Sequence, residues 1–199
     1  MWRRRLPVAF LVVRALSACA GAPARELAVP DVRQATPYTC SASALQAVLA
    51  YYGVEKREDV LARELGATPE DGAPPEAIVR VAVAHGLTAT KRENMTVDDL
   101  AAEIAQGHPV IVEIQAWSDA PRTSWADAWD DGHYVILVAI EGDRLVFEDP
   151  SVLGSRSVLS RRELEERWHD IDAGYRNIRT GIVFSGKQPV PAPAHVHMD

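Results

Sequence analysis

Cysteine is scarce in this chain: Cys19 and Cys40 are the two in 199 residues. A network of disulfides is therefore excluded as the source of stability, and at most one Cys19–Cys40 bridge is conceivable, in an uncleaved form. Positive charge is also short, with 21 Lys and Arg against 28 Asp and Glu and a net charge of −7. That balance argues against nucleic acid or other polyanions as partners. No apolar run reaches the length of a membrane span; Leu6 to Val13 is too short for a lasting transmembrane helix. No internal repeat is visible, and no His/Cys spacing describes a metal site, so neither a metal nor another cofactor is expected. With 47% hydrophobic residues, one domain with a substantial core is the natural reading.

The N-terminus has the shape of an export signal. Arg3, Arg4 and Arg5 precede the apolar Leu6 to Val13, although Arg14 interrupts the end of that stretch. Leu16-Ser17-Ala18-Cys19 then resembles the lipobox of bacterial lipoproteins, whose Cys is diacylated and becomes the mature N-terminus. The expected organisation is a signal peptide over 1–18, lipidation at Cys19, a tether over 19–27, a folded domain over 28–185 and a Pro-rich, disordered tail over 186–199. A competing cut after Ala22-Pro23-Ala24 would release a soluble secreted or periplasmic protein. Removing 1–18 takes away four arginines and no acid, moving the net charge from −7 to −11. An exported protein would then carry Cys40 as its single non-lipidated thiol, which invites a functional explanation. His195 and His197 in the tail could touch metal, but disorder is the simpler reading.

The stretch that organises the chain is Val29 to Gly53. Leu45, Val48, Leu49 and Tyr52 recur at helical spacing and Gly53 supplies a left-handed stop, while Pro37 forbids helix just before. The helix should begin near Cys40, placing a thiol where free N–H groups and the helix dipole favour a thiolate. The alternative is that Cys40 is simply a small residue packed against a sheet. Gln34, six positions earlier, carries an amide that could act with the Cys40 N–H on an oxyanion. Downstream, His133 opens the apolar run Tyr134 to Ile140, and Asp149 closes a second run, Leu145 to Phe147. A turn at Gly142-Asp143 would make these antiparallel strands and bring His133 beside Asp149.

Gln34, Cys40, the helix Ala44 to Gly53, Gly132-His133-Tyr134-Val135 and Asp149-Pro150-Ser151 together resemble the bacteriocin-processing, double-glycine leader peptidases and their stand-alone relatives, within the papain-like cysteine peptidases. The resemblance spans 28–185. It implies an α+β papain-like fold, an N-terminal helical half with the nucleophile helix packed on a C-terminal antiparallel sheet. It also implies Cys40 as nucleophile, His133 as general base and acid, Asp149 as orienter and Gln34 as oxyanion donor. The best-known members are fused to transporter domains for which this chain has no room, so the double-glycine substrate is not carried over.

The remaining chain supplies the support. Helices are expected over Arg57–Leu65, Pro74–His85, from Thr96 to about Gln106, and from the capping box Ser160-x-x-Glu163 through Trp168. Strands are expected at Leu87–Lys91, Pro109–Ile114 and Thr180–Phe184. Between Gln115 and Asp131, Trp117, Trp125 and Trp129 either wall a substrate cleft or form a small core that holds the loop down. The aspartates beside them, Asp119, Asp127, Asp130 and Asp131, either raise the His133 pKa or form a solvated rim. The expectation is an exported, lipid-anchored, monomeric thiol hydrolase acting on peptide bonds. Acyl transfer on the same triad and non-catalytic peptide binding are the alternatives.

Overall fold

A computed structural model describes residues 26–119, 121–172 and 174–191. The signal peptide, Cys19, the first part of the tether, His195 and His197 lie outside the described residues.

Three helices come first: α1 (Cys40–Tyr51), α2 (Glu58–Leu65) and α3 (Pro75–Ala84). They are followed by β1 (Thr88–Arg92), α4 (Val97–Ala105), β2 (Val110–Gln115), β3 (Gly132–Glu141) and β4 (Arg144–Glu148). The chain ends with β5 (Ser157–Ser160), α5 (Arg161–Arg167), β6 (His169–Asp172), β7 (Tyr175–Ile178) and β8 (Gly181–Ser185). Six strands form one antiparallel sheet in the order β1-β8-β2-β3-β4-β5, and β6 and β7 pair separately. No helix among the described residues is long and apolar enough to cross a membrane.

Local chemistry accounts for most boundaries. Thr96 and Asp99 close a reciprocal capping box on α4, and Ser160 and Glu163 do the same on α5. Gly142 takes φ 65 in the two-residue turn that sets Glu141 opposite Arg144. Gly53, at φ 74, adopts the left-handed conformation just past α1.

In one respect α1 departs from the sequence reading. An apolar stripe was expected, yet Cys40 through Leu45 are all buried, as are Ala47, Val48, Leu49 and Tyr51. The small Ala and Ser side chains let α1 lie between α2 and α3 on one side and β3 on the other. Tyr51 and Tyr52 fix its C-terminal end by donating to the carbonyls of Gly107 (3.1 Å) and Phe184 (2.8 Å). Its N-terminus is thereby held against the middle of the sheet.

Candidate active site

Thr39 precedes α1 without capping it; its hydroxyl donates back to the Thr36 carbonyl at 3.1 Å. The first-turn N–H groups stay available, and Cys40 is the first residue of the helix. Its sulfur faces the backbone N–H groups of Ser41 and Tyr134 and the imidazole of His133. Cys40 is a free cysteine, 8% exposed. Burial works to raise its pKa, but the hydrogen bond and charge of His133, with the two N–H groups, outweigh burial and lower it.

His133 sits on β3 opposite Ile114 of β2. Its Nε2 lies 2.7 Å from Asp149 Oδ1, leaving Nδ1 as the ring nitrogen for the sulfur. Burial works to lower the imidazole pKa; hydrogen bonds and charge from Asp149 and Cys40 overcome it and raise it to about 9. The loop aspartates are not among the main causes, and two of them, Asp130 (2.6 Å) and Asp131, are paired with Arg122.

Asp149 follows β4 and is 2% exposed. Oδ1 also accepts the Ser151 N–H at 2.9 Å, the short turn that Asp-Pro-Ser favours. Oδ2 accepts the Ser157 hydroxyl at 2.6 Å and the Trp117 indole N–H at 3.2 Å. Burial alone would raise this carboxyl, but hydrogen bonds from His133, Ser157 and Ser151, with the His133 charge, hold it below its ordinary value.

Gln34 is tied to the same corner. Its backbone N–H donates to the Pro150 carbonyl at 3.0 Å, and its Oε1 lies 3.4 Å from the Ser151 hydroxyl. One Nε2 hydrogen goes to the Thr36 carbonyl at 2.9 Å, and the amide carries a second. The Ser151 hydroxyl is also 3.5 Å from His133 Nε2, so this residue joins Gln34, His133 and Asp149.

The three tryptophans do not share one wall. Trp129 lines the cavity that contains Cys40, whereas Trp117 and Trp125 line another on the Asp149 side. Trp125 lies under the guanidinium groups of Arg167 (4.0 Å) and Arg122 (5.6 Å), which pins the loop. Trp117, 58% exposed, adopts φ 62, unusual for a bulky side chain, while its indole reaches Asp149. Sequence reading missed Ser151 and Ser157 as supports of Asp149, and it missed His169. The His169 Nε2 lies 2.7 Å from the Ala128 carbonyl and its ring packs on Trp129 at 4.5 Å. The Asp-Pro-Ser sequence was the available signal for Ser151; nothing local pointed to the other two.

Solved structures share this fold. A double glycine motif protease from an AMS/PCAT transporter, in complex with its leader peptide, is 19% identical with a TM-score of 0.57, covering 83% of this chain and 94% of that one. The peptidase domain of Streptococcus ComA, a bifunctional ABC transporter of a quorum-sensing pathway, is 18% identical with a TM-score of 0.59, covering 78% and 97%. A protein described as a C39-like peptidase from Bacillus anthracis is 15% identical with a TM-score of 0.59, covering 81% and 96%. No curated protein matches the chain in sequence. The family model of the Peptidase_C39 like family matches residues 26–174, so the chain belongs to that family and is a cysteine peptidase of papain-like fold.

Proposed function

We propose that the protein hydrolyses peptide bonds with Cys40 as nucleophile, His133 as general base and acid, and Asp149 as the group that orients the ring. The observation that carries this reading is the buried 2.7 Å contact between His133 and Asp149, on a ring whose other side meets the thiol at the start of α1. Lowering of the Cys40 pKa and raising of the His133 pKa favour a thiolate–imidazolium pair. The thiolate adds to the amide carbonyl while the Gln34 amide and the Cys40 N–H steady the oxyanion. The imidazolium then gives its proton to the departing amine, and water, deprotonated by His133, resolves the thioester.

The substrate in this reading is a peptide, in keeping with the leader peptide bound to the AMS/PCAT relative. The double-glycine motif is not part of the proposal. Export and lipid anchoring at Cys19, and action as a monomer, complete it; the mass of the mature N-terminus tests the anchor.

The deciding experiment is alkylation of Cys40 by iodoacetamide across pH, in the wild type and in His133→Ala. Rapid alkylation far below the ordinary thiol pKa of about 8.5, lost in the variant, is the expected result. An ordinary thiol profile in both proteins overturns the triad. If amines capture the thioester faster than water does, acyl transfer replaces hydrolysis.

A further inference from the structure

The cavity at the Cys40 sulfur is about 330 Å³ and carries six carboxylate side chains. Glu70 and Asp71 come from the segment before α3, Glu113 from β2, Asp130 from the loop before β3, and Asp170 and Asp172 from β6. Among the described residues, no Lys, Arg or His lines it. Three of the acids have donors: Asp130 has Arg122 at 2.6 Å, Asp170 has Gln115 at 2.8 Å, and Asp172 has Asn177 at 2.6 Å.

Glu113 is different. It is 2% exposed, and both its carboxylate oxygens are buried with no donor in hydrogen-bonding geometry among the described residues. The hydroxyl of Tyr134, directly opposite on β3, is likewise buried; it lies close enough to Glu113 for each to act on the other's pKa, but it is neutral and outside good hydrogen-bonding geometry. Lys91, whose charge reaches Asp172, is already engaged by Glu76 at 2.6 Å and Glu93 at 3.0 Å. Arg176 stacks on Trp129 at 4.7 Å. Burial first, then the neighbouring Asp172 and Asp170, holds the Glu113 carboxyl well above its usual range. Burial also raises Asp172, and it raises Asp170 to about 6. The wall resists ionisation for want of a counter-charge.

We propose that this wall is the subsite for a cationic group of the peptide substrate, an ammonium or guanidinium carried next to the scissile amide. The proposal rests on Cys40 being the nucleophile, because Cys40 and Glu113 line the same cavity. No three of these groups, among the described residues, are arranged to hold a metal ion. A basic side chain suits this lining better, since Tyr38 and Trp129 offer rings for its stem and Glu113 and Asp172 offer carboxyls for its charged head. A neutral side chain in the same place supplies no counter-charge to these acids, and that difference is the source of selectivity.

The test is protection of Cys40 against iodoacetamide in the purified protein by small probes. These are acetyl-lysine amide, acetyl-arginine amide, norleucine amide with its free α-amine, the neutral acetyl-norleucine amide, and calcium chloride. At least one organic cation should protect at concentrations about 10-fold or more below the neutral isostere. Whichever cation protects best identifies the source as a lysine side chain, an arginine side chain or a peptide N-terminus. The preference, read as a ratio within each protein, should collapse in Glu113→Gln and in Asp172→Asn and persist in Glu55→Gln, an exposed acid outside the cavity. The proposal is overturned if the neutral probe protects equally, if no probe protects, if calcium alone protects, or if the preference survives both pocket variants. Failure of the Cys40 reading shows separately, as an ordinary pH profile in the unprotected rate.

Discussion

His133 and Asp149 stand 16 positions apart in sequence and 2.7 Å apart in space, because the β3–β4 hairpin folds the start of one strand back to the end of the next. The contact is buried on both sides, so the carboxylate acts on the ring without competition from water. Together with Cys40 on the other side of the ring, it raises the His133 pKa to about 9 against the effect of burial.

Peptide hydrolysis should therefore show an upper pH limb near 9, where the imidazolium that protonates the leaving amine is lost. Asp149→Asn removes one of the two charges that raise the ring pKa, so the limb should move to lower pH and kcat/KM should fall by about 10²–10⁴. The sign for stability follows from the lowered pKa of Asp149 itself. A depressed carboxyl contributes stability above its unfolded pKa of about 3.9 and loses it as pH falls through the folded value. The Tm advantage of wild type over Asp149→Asn should shrink below about pH 4. An unmoved limb would remove Asp149 from the proposed role.

Gln34 separates two kinds of chemistry. Alkylation by iodoacetamide builds no oxyanion, whereas attack on an amide does. Gln34→Ala should lower kcat for peptide hydrolysis by about 10²–10³, while alkylation of Cys40 stays within a few-fold of wild type. Equal losses in both assays would mean that Gln34 supports the fold through Ser151 and Thr36 and nothing more.

How much of this was legible follows the range of the interactions. The start of α1, the Thr96 cap, the Ser160–Glu163 capping box and the Gly142-Asp143 turn are local, and their residues announce them. So is the hairpin that pairs His133 with Asp149. β5, β6 and β7 were missed because Ser157–Ser160, His169–Asp172 and Tyr175–Ile178 carry no apolar alternation; cross-strand partners make them strands. Within Val110–Gln115, Glu113 and Gln115 are the two polar members of a fully buried strand. The carboxylate neighbours of Glu113 arrive from residues 70, 71, 130, 170 and 172, and no spacing rule links those positions.

Arg156 holds the N-terminal segment to the sheet. It contacts Glu148, which is fully buried, and also binds Glu26 at 2.8 Å and the Val29 carbonyl at 2.6 Å, while Glu148 accepts the Val32 N–H at 2.8 Å. Burial raises Glu148 to about 7 even beside this guanidinium. Arg156→Ala should cost about 3–5 kcal/mol at alkaline pH, because it leaves a buried carboxylate uncompensated. A carboxyl raised above its unfolded value of about 4.3 contributes stability below that value and loses it as pH rises through the folded one. The loss in Arg156→Ala should therefore be smaller in acid than in alkali. Urea unfolding at about pH 5 and about pH 8 checks this; equal losses would show that Arg156 acts by packing alone.

Gly132 joins the acidic wall to the strand that carries His133. It pairs with Gln115 and immediately precedes His133, and a Cβ placed on it would stand 2.0 Å from Asp170 Oδ2 and 2.7 Å from Asp170 Cγ. Asp170 is not free to yield, because Gln115 Nε2 holds its other oxygen at 2.8 Å. Gly132→Ala should therefore destabilise by about 1–3 kcal/mol, the usual cost of overpacking, and should slow peptide hydrolysis by shifting the backbone under His133. If the clash with Asp170 is the cause, the double variant Gly132→Ala with Asp170→Ala should recover stability relative to the sum of the single effects. A double-mutant cycle on Tm or urea midpoint reads that coupling directly. Simple additivity would place the penalty in the β3 backbone, and the wall and the strand would then be independent.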